Sequence, residues 1–193
     1  MISFIELRDI VISMLALSLA VAIAFSGPDI LLNFSKLMKY MVIFIIIVGF
    51  GFVLHELGHR TVARAFGAHA SFRMWPLGLI FALLMSFAGF VFAAPGAVYI
   101  YSYRPLSREQ NGLISIAGPL VNIFLFFVFI VSALFFTISF EGINALFIGA
   151  KVNAFLAFFN LLPFFPLDGS KVMAWDRNIW LFAIIFAFLC FLV

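Results

Sequence analysis

Charged side chains are scarce in this chain and cysteine is nearly absent. Asp, Glu, Lys and Arg make up 10% of the 193 residues and hydrophobic residues 66%, a balance that no water-soluble domain of this length could keep in solution. The solvent is lipid, and the expected location is a cell membrane, as a multi-pass integral protein. The single cysteine, Cys190, excludes an internal disulfide framework and a thiolate cluster within one chain. Any metal must therefore sit on His and carboxylate ligands. The period-two alternation of a membrane β-barrel is missing, as is any repeat, low-complexity tract or polar stretch long enough for an appended soluble domain. The net charge of +3 comes from Lys and Arg at the ends of apolar runs, so it carries topology information and offers no nucleic-acid surface.

What is present are apolar runs near the length that crosses a hydrocarbon core of roughly 30 Å. Backbone in lipid must satisfy its own hydrogen bonds, so these runs are expected as helices. The expected fold is all-α and polytopic, with about five to six transmembrane helices, a small membrane-associated β element and a re-entrant segment, residues 1–193 forming a single domain. The first span is expected from Arg8 to Phe25, closed by Ser26, Gly27, Pro28 and Asp29. Ala22-x-Ala24 resembles a signal-peptidase site, but Glu6, Arg8 and Asp9 leave the leading segment without net positive charge, so the span is expected to be retained.

A short polar loop holding Lys36 and Lys39 is expected next, then a span from Tyr40 through His55 to about Phe66. His69 to Trp75 alternates loosely and reads as a strand, as does Ala97 to Tyr101. The third span is expected from Gly112 to Phe140, with Glu141 and Gly142 turning the chain. The fourth starts near Ile143 and carries Lys151 and Asn153, which with Asn160 are candidates to line a polar gap. The final span runs from Trp175 to Val193.

His55, Glu56, Leu57, Gly58 and His59 make the pattern H-E-x-x-H on a continuing helix. Positions four apart share a helix face, so both imidazoles can reach one tetrahedral ion. Glu56, projecting to one side, suits a general base that takes a proton from water. The bland alternative, a snorkelling interfacial cluster, explains Arg60 and Arg64 but not a carboxylate at the end of an apolar span. Catalytic zinc usually takes three protein ligands. Two candidates exist for the third: His69, just past the helix, and Asp168, which follows a Pro-punctuated stretch that can turn a carboxylate inward. Asp168 is the stronger, its alternative role being an N-cap for the residues after it.

Three motifs spread over most of the chain carry a resemblance: His55-Glu56-Leu57-Gly58-His59, Ala117-Gly118-Pro119-Leu120-Val121-Asn122, and Asn160-Leu161-Leu162-Pro163-Phe164-Phe165-Pro166-Leu167-Asp168-Gly169. Together they are similar to the site-2 protease family of intramembrane zinc metalloproteases, in its short archaeal or bacterial form. The last motif matches the family pattern N-x-x-P-x-x-P-x-D-G at every fixed place. The resemblance implies one Zn2+ per chain held by His55, His59 and Asp168, with Glu56 activating water. It also implies that Asn160 and Asn122 position substrate, interhelical hydrogen bonding being their alternative role. The implied substrates are membrane proteins with a transmembrane segment, cleaved in or near it. An extended substrate could add as a strand to an edge offered by His69–Trp75 or Ala97–Tyr101.

Crossing parity constrains topology. His55 and Asp168 can share a side only if Leu77 to Ala94 does not cross, so that stretch is expected to enter and leave by one face. Arg8, Arg60, Arg64, Arg73, Arg104, Arg108, Lys171 and Arg177 then share the motif's side, with Lys36 and Lys39 opposite, and the positive-inside bias puts the metal toward the cytoplasm. Two other classes fit some of these residues. A divalent-cation transporter would use the histidines, Asp168 and Lys151 as a path, but has no use for Glu56 between two ligands. A proteolytically inactive homologue that binds membrane partners would not need the complete ligand set.

Overall fold

The computed structural model describes residues 2–91 and 95–193. They fall into two compact units, one from Met1–Val53 and Ser71–Tyr99, the other from Leu54–Ala70 and Ile100–Val193.

In the first unit α1 (Phe4–Ser26) begins at Ser3, whose side chain accepts the Glu6 N–H, and ends at Gly27, where φ is 83°. A capping hydroxyl and a left-handed glycine are the ordinary start and stop of a helix. After a 3-10 turn at Pro28–Leu32, Asn33 caps α2 (Phe34–Phe44) by accepting the Lys36 N–H. Lys36 and Lys39 therefore lie on the opening turns of a helix, not in the expected loop. A capping Asn followed by no breaker starts the helix earlier than hydropathy alone suggests. The helix continues through a π turn (Ile45–Gly49) into α3 (Phe50–Ala65). Gly49 lies against Met14 and Ser18 of α1, and Phe25 of α1 meets Tyr40 and Phe44 of α2 edge to face.

Strand β1 (His69–Met74) pairs with β2 (Gly96–Tyr101) in a two-stranded sheet, so both expected strands are present. Between them lies α4 (Pro76–Ser86), whose 11 residues reach only about 16 Å at 1.5 Å per residue. The Trp75 N–H donates to the Pro95 carbonyl at 3.0 Å, so the chain leaves β1 and comes back to the same place. The end of the expected re-entrant stretch, including Ala94, lies outside the described residues. The acids that lead α1 also have a structural use: Glu6, 1% exposed, accepts the Phe72 N–H of β1 at 3.1 Å. Asp9 faces Arg8 at 2.7 Å and Arg73 at 3.8 Å. Partners of this kind are what allow carboxylates to be buried.

In the second unit α5 (Arg108–Phe135) opens with a capping box between Ser107 and Gln110, which starts the helix ahead of the expected Gly112. It stops short of Phe140 because Ser139–Phe140 (β3) and Ile143–Asn144 (β4) form a small antiparallel hairpin around Glu141 and Gly142, both at positive φ. The turn was expected; the strands were not, being two residues each and invisible to periodicity. Asn144 caps α6 (Ala145–Asn160). Residues 161–167 turn the chain, Asp168 begins α7 (Asp168–Trp175), and Asp176 caps α8 (Arg177–Leu192). The apolar stretch from Trp175 is thus divided by a cap at Asp176. Ile116, Ile123, Ala157, Leu161, Val172, Ala183 and Ala187 form the core that packs α5, α6, α7 and α8 together.

The described residues are mostly helical, with two small sheets among them. Among the described residues three helices, Phe4–Ser26, Phe34–Ala65 and Arg108–Phe135, are long and apolar enough to cross a membrane. Pro76–Ser86, Ala145–Asn160 and Arg177–Leu192 are shorter apolar helices.

Candidate metal centre

His55 and His59 stand one turn apart on α3, 5% and 7% exposed, with their Nε2 atoms 3.0 Å apart. The Pro163 and Pro166 turn after α6 delivers Asp168 at the first position of α7. Its Oδ2 lies 3.4 Å from Nε2 of His55 and 3.1 Å from Nε2 of His59. Leu167 occupies the N-cap with no side-chain capping bond, so Asp168 is not the cap of α7. The other carboxylate oxygen, Oδ1, lies 3.7 Å from the Lys171 ammonium.

The far ring nitrogens are engaged. His59 Nδ1 lies 2.7 Å from the Ile114 carbonyl, an acceptor only, so Nδ1 carries the proton and Nε2 of the neutral ring presents a lone pair. His55 Nδ1 lies 2.6 Å from Oδ1 of Asn122, with the same consequence. A ring N–H tied back to a carbonyl is the usual support of a metal-ligating histidine. Two lone pairs and a carboxylate oxygen pointing at one another repel unless a metal cation or a proton sits among them. The donor set, two imidazoles and one carboxylate, is one zinc takes in catalytic sites.

Space for such a cation comes from Gly118 on α5. A Cβ there would strike Nε2 of His59 and stand 2.6 Å from Nε2 of His55, so the missing side chain leaves the place toward which the imidazoles converge. Gly58, inside the His55–His59 turn, lets α3 approach the Ala117 carbonyl, which a Cβ would meet at 3.1 Å. Gly169 does the same for Asp168: a Cβ would collide with the Leu161 carbonyl, the same oxygen that accepts the Trp180 indole N–H at 2.8 Å. The D-G pair thus joins the converging carboxylate to a residue small enough to seat it.

The remaining expected residues are placed as follows. Glu56 is half-buried on α3 beside His55. Asn122 is fully buried behind His55. Asn160 is the last residue of α6, half-buried, its amide donating to the Leu156 carbonyl at 2.9 Å. His69 is exposed on β1 and is not among the residues whose ligand atoms converge. Lys151 donates to the Phe191 carbonyl at 3.2 Å, at the last turn of α8. Asn153, fully buried, accepts from Asn122 at 2.9 Å, a partnership that nothing local in either helix signals.

No protein-family model matches the chain. A protein of Methanocaldococcus jannaschii, named provisionally as a zinc metalloprotease, is 46% identical over 180 residues, which is 91% of this chain and 86% of that protein. A Bacillus subtilis protein with the same provisional name is 33% identical over 155 residues, 72% of this chain and 69% of its own. Among solved structures, a site-2 protease from Methanocaldococcus jannaschii aligns over 92% of this chain and 85% of its own, at 19% identity and a TM-score of 0.49. With such identity to the first of these relatives across most of both sequences, and the three motifs intact, the chain belongs to the site-2 protease family of zinc metalloproteases.

Proposed function

We propose that this protein is an intramembrane zinc metalloendopeptidase that hydrolyses peptide bonds in or near transmembrane segments of membrane-protein substrates. The observation that carries the reading is the convergence of His55 Nε2, His59 Nε2 and Asp168 Oδ2 in a buried place, with both rings held from behind. These three residues would hold one zinc ion per chain, which when bound supplies Lewis acidity for water and for the scissile carbonyl. Glu56 takes a proton from the attacking water and returns it to the leaving amine, a role its place beside His55 suits. Asn160, at the end of α6 before the turn that carries Asp168, is the candidate to orient substrate. Asn122 lies behind His55, which favours a supporting role over substrate contact. The hydrophobic composition and the three long apolar helices support a bilayer as surroundings.

The decisive test is zinc analysis of the chain purified in detergent, coupled to cleavage of a panel of single-span substrates. One zinc per chain is expected, with cleavage lost to a chelator and restored by zinc. A chain that cleaves at full rate after complete zinc removal would sink the reading.

Gly118→Ala puts a methyl where the rings converge. Overpacking a well-packed site costs about 1–3 kcal/mol. Without metal the imidazoles can swing aside, so the cost falls on the metal-bound form, and zinc affinity is expected to drop about 10- to 100-fold at 1.4 kcal/mol per tenfold. Chelator competition on the purified variant measures it.

Arg60 and Arg64 in the last turns of α3, Arg104 before α5 and Arg108 at its first position, and Lys171 and Arg177 in and after α7 set the expected orientation, with these ends toward the cytoplasm. Cysteine accessibility at Arg104→Cys is expected to report the cytoplasmic face in intact cells. Labelling from outside would reverse the assignment.

A further inference from the structure

The two zinc-facing histidines are not supported alike. His59 leans on the Ile114 backbone carbonyl, a group that has no second end to offer. His55 leans on Asn122, a side-chain amide, and an amide can present either its oxygen or its NH2. With the oxygen forward, His55 carries its proton on Nδ1 and its lone pair on Nε2. With the NH2 forward, Nδ1 must accept, the proton moves to Nε2, and the ring can no longer bind metal through that atom.

What decides between the two lies one helix further back. The Asn153 amide is 2.9 Å from the carbonyl of Gly149, one turn earlier on α6. A backbone carbonyl only accepts, so the NH2 of Asn153 must face it and Oδ1 must face away. That oxygen lies 2.9 Å from Asn122 on α5, which must answer with its NH2, and so turns its own oxygen to His55 Nδ1 at 2.6 Å. Each link agrees with the one before. Asn122 and Asn153 are both 0% exposed, so bulk water does not compete for their bonds. We infer that Asn153 is a positioning residue for the metal centre: it fixes which end of Asn122 faces His55 and thereby holds His55 in the tautomer that presents Nε2 as a ligand. This rests on the zinc reading above. The competing explanation is that two buried asparagines merely tie α5 to α6, as polar side chains commonly do between membrane helices.

The two explanations separate in a double-mutant cycle. Asn122→Asp has an acceptor at both ends and needs no orienting partner. Zinc affinity of the full chain in detergent is measured by chelator competition for wild type, Asn153→Leu, Asn122→Asp and the double variant. Asn153→Leu is expected to weaken zinc about 10- to 100-fold, the range typical of a lost outer partner, and to cost nothing further in the Asn122→Asp background. Asn153→Asp as the neutral acid, its hydroxyl donating to the Gly149 carbonyl and its carbonyl oxygen facing Asn122, should stay close to wild type. The zinc-free protein gives a second readout. With three histidines in the chain, side-chain 15N spectra of wild type should resolve an Nδ1–H form at His55 that Asn153→Leu mixes with Nε2–H. Should the leucine variant fail to fold, Asn153→Ala carries the same expectation, because a water filling the gap donates as readily as it accepts. Equal loss of affinity in both backgrounds, or no loss and an unchanged His55 spectrum, would reduce the pair to helix glue and overturn the inference. A wild type that binds no zinc would sink the metal reading itself, and the spectrum of the zinc-free protein would still judge the tautomer.

Discussion

Glu56→Gln is expected to keep one zinc per chain and to lower cleavage of a single-span substrate by about 10²- to 10⁴-fold, the usual contribution of a positioned general base. The substitution preserves size and removes the proton acceptor. Glu56 is not among the residues whose ligand atoms converge, so the metal should be held as before. It is half-buried on α3 and follows His55 in the chain. Zinc content and turnover must be measured on the same preparation, since a loss of both would point to a damaged site and not to a missing base. Full zinc with undiminished cleavage would remove Glu56 from the chemistry.

The parts of this centre that were legible in the sequence are those that local periodicity encodes. His55 and His59 lie four apart on an apolar helix, and helical geometry alone brings them to one face. Asp168 could be read because Pro163 and Pro166 break the helix ahead of it, and a carboxylate behind such a break in an apolar chain needs a reason. The strands at His69–Met74 and Gly96–Tyr101 were visible from alternation and bounding Gly and Pro.

What escaped was either decided by caps or made between distant helices. Asn33 starts α2 early enough to take in Lys36 and Lys39, and the capping box at Ser107 extends α5 backward; hydropathy windows respond to neither. For Asn153 the fourth apolar stretch offers only a place lining a polar gap, because its partner Asn122 is 31 positions away. Gly118 stands out only once α3 and α5 are seen to cross there, since the reason for lacking a side chain is two imidazoles from another segment.

Asp168→Ala is expected to reduce zinc affinity by about two to three and a half powers of ten and to take cleavage with it. Of the three converging atoms only Asp168 Oδ2 belongs to an anion; the histidines, protonated at Nδ1, offer neutral lone pairs. Removing one partner of a buried charge pair costs about 3–5 kcal/mol, and at 1.4 kcal/mol per tenfold that is the stated loss. The fold should survive. A mostly buried acid in the first turn of a helix contributes up to about 2 kcal/mol through the helix dipole, and the packing of α7 through Val172 and Gly169 is untouched. The signature is a difference of responses: added zinc raises the melting temperature of wild type by stabilising only the folded chain, and leaves that of Asp168→Ala where it was. An equal zinc-induced rise in both proteins would mean that the ion sits elsewhere, and that the three groups meet for some reason other than holding it.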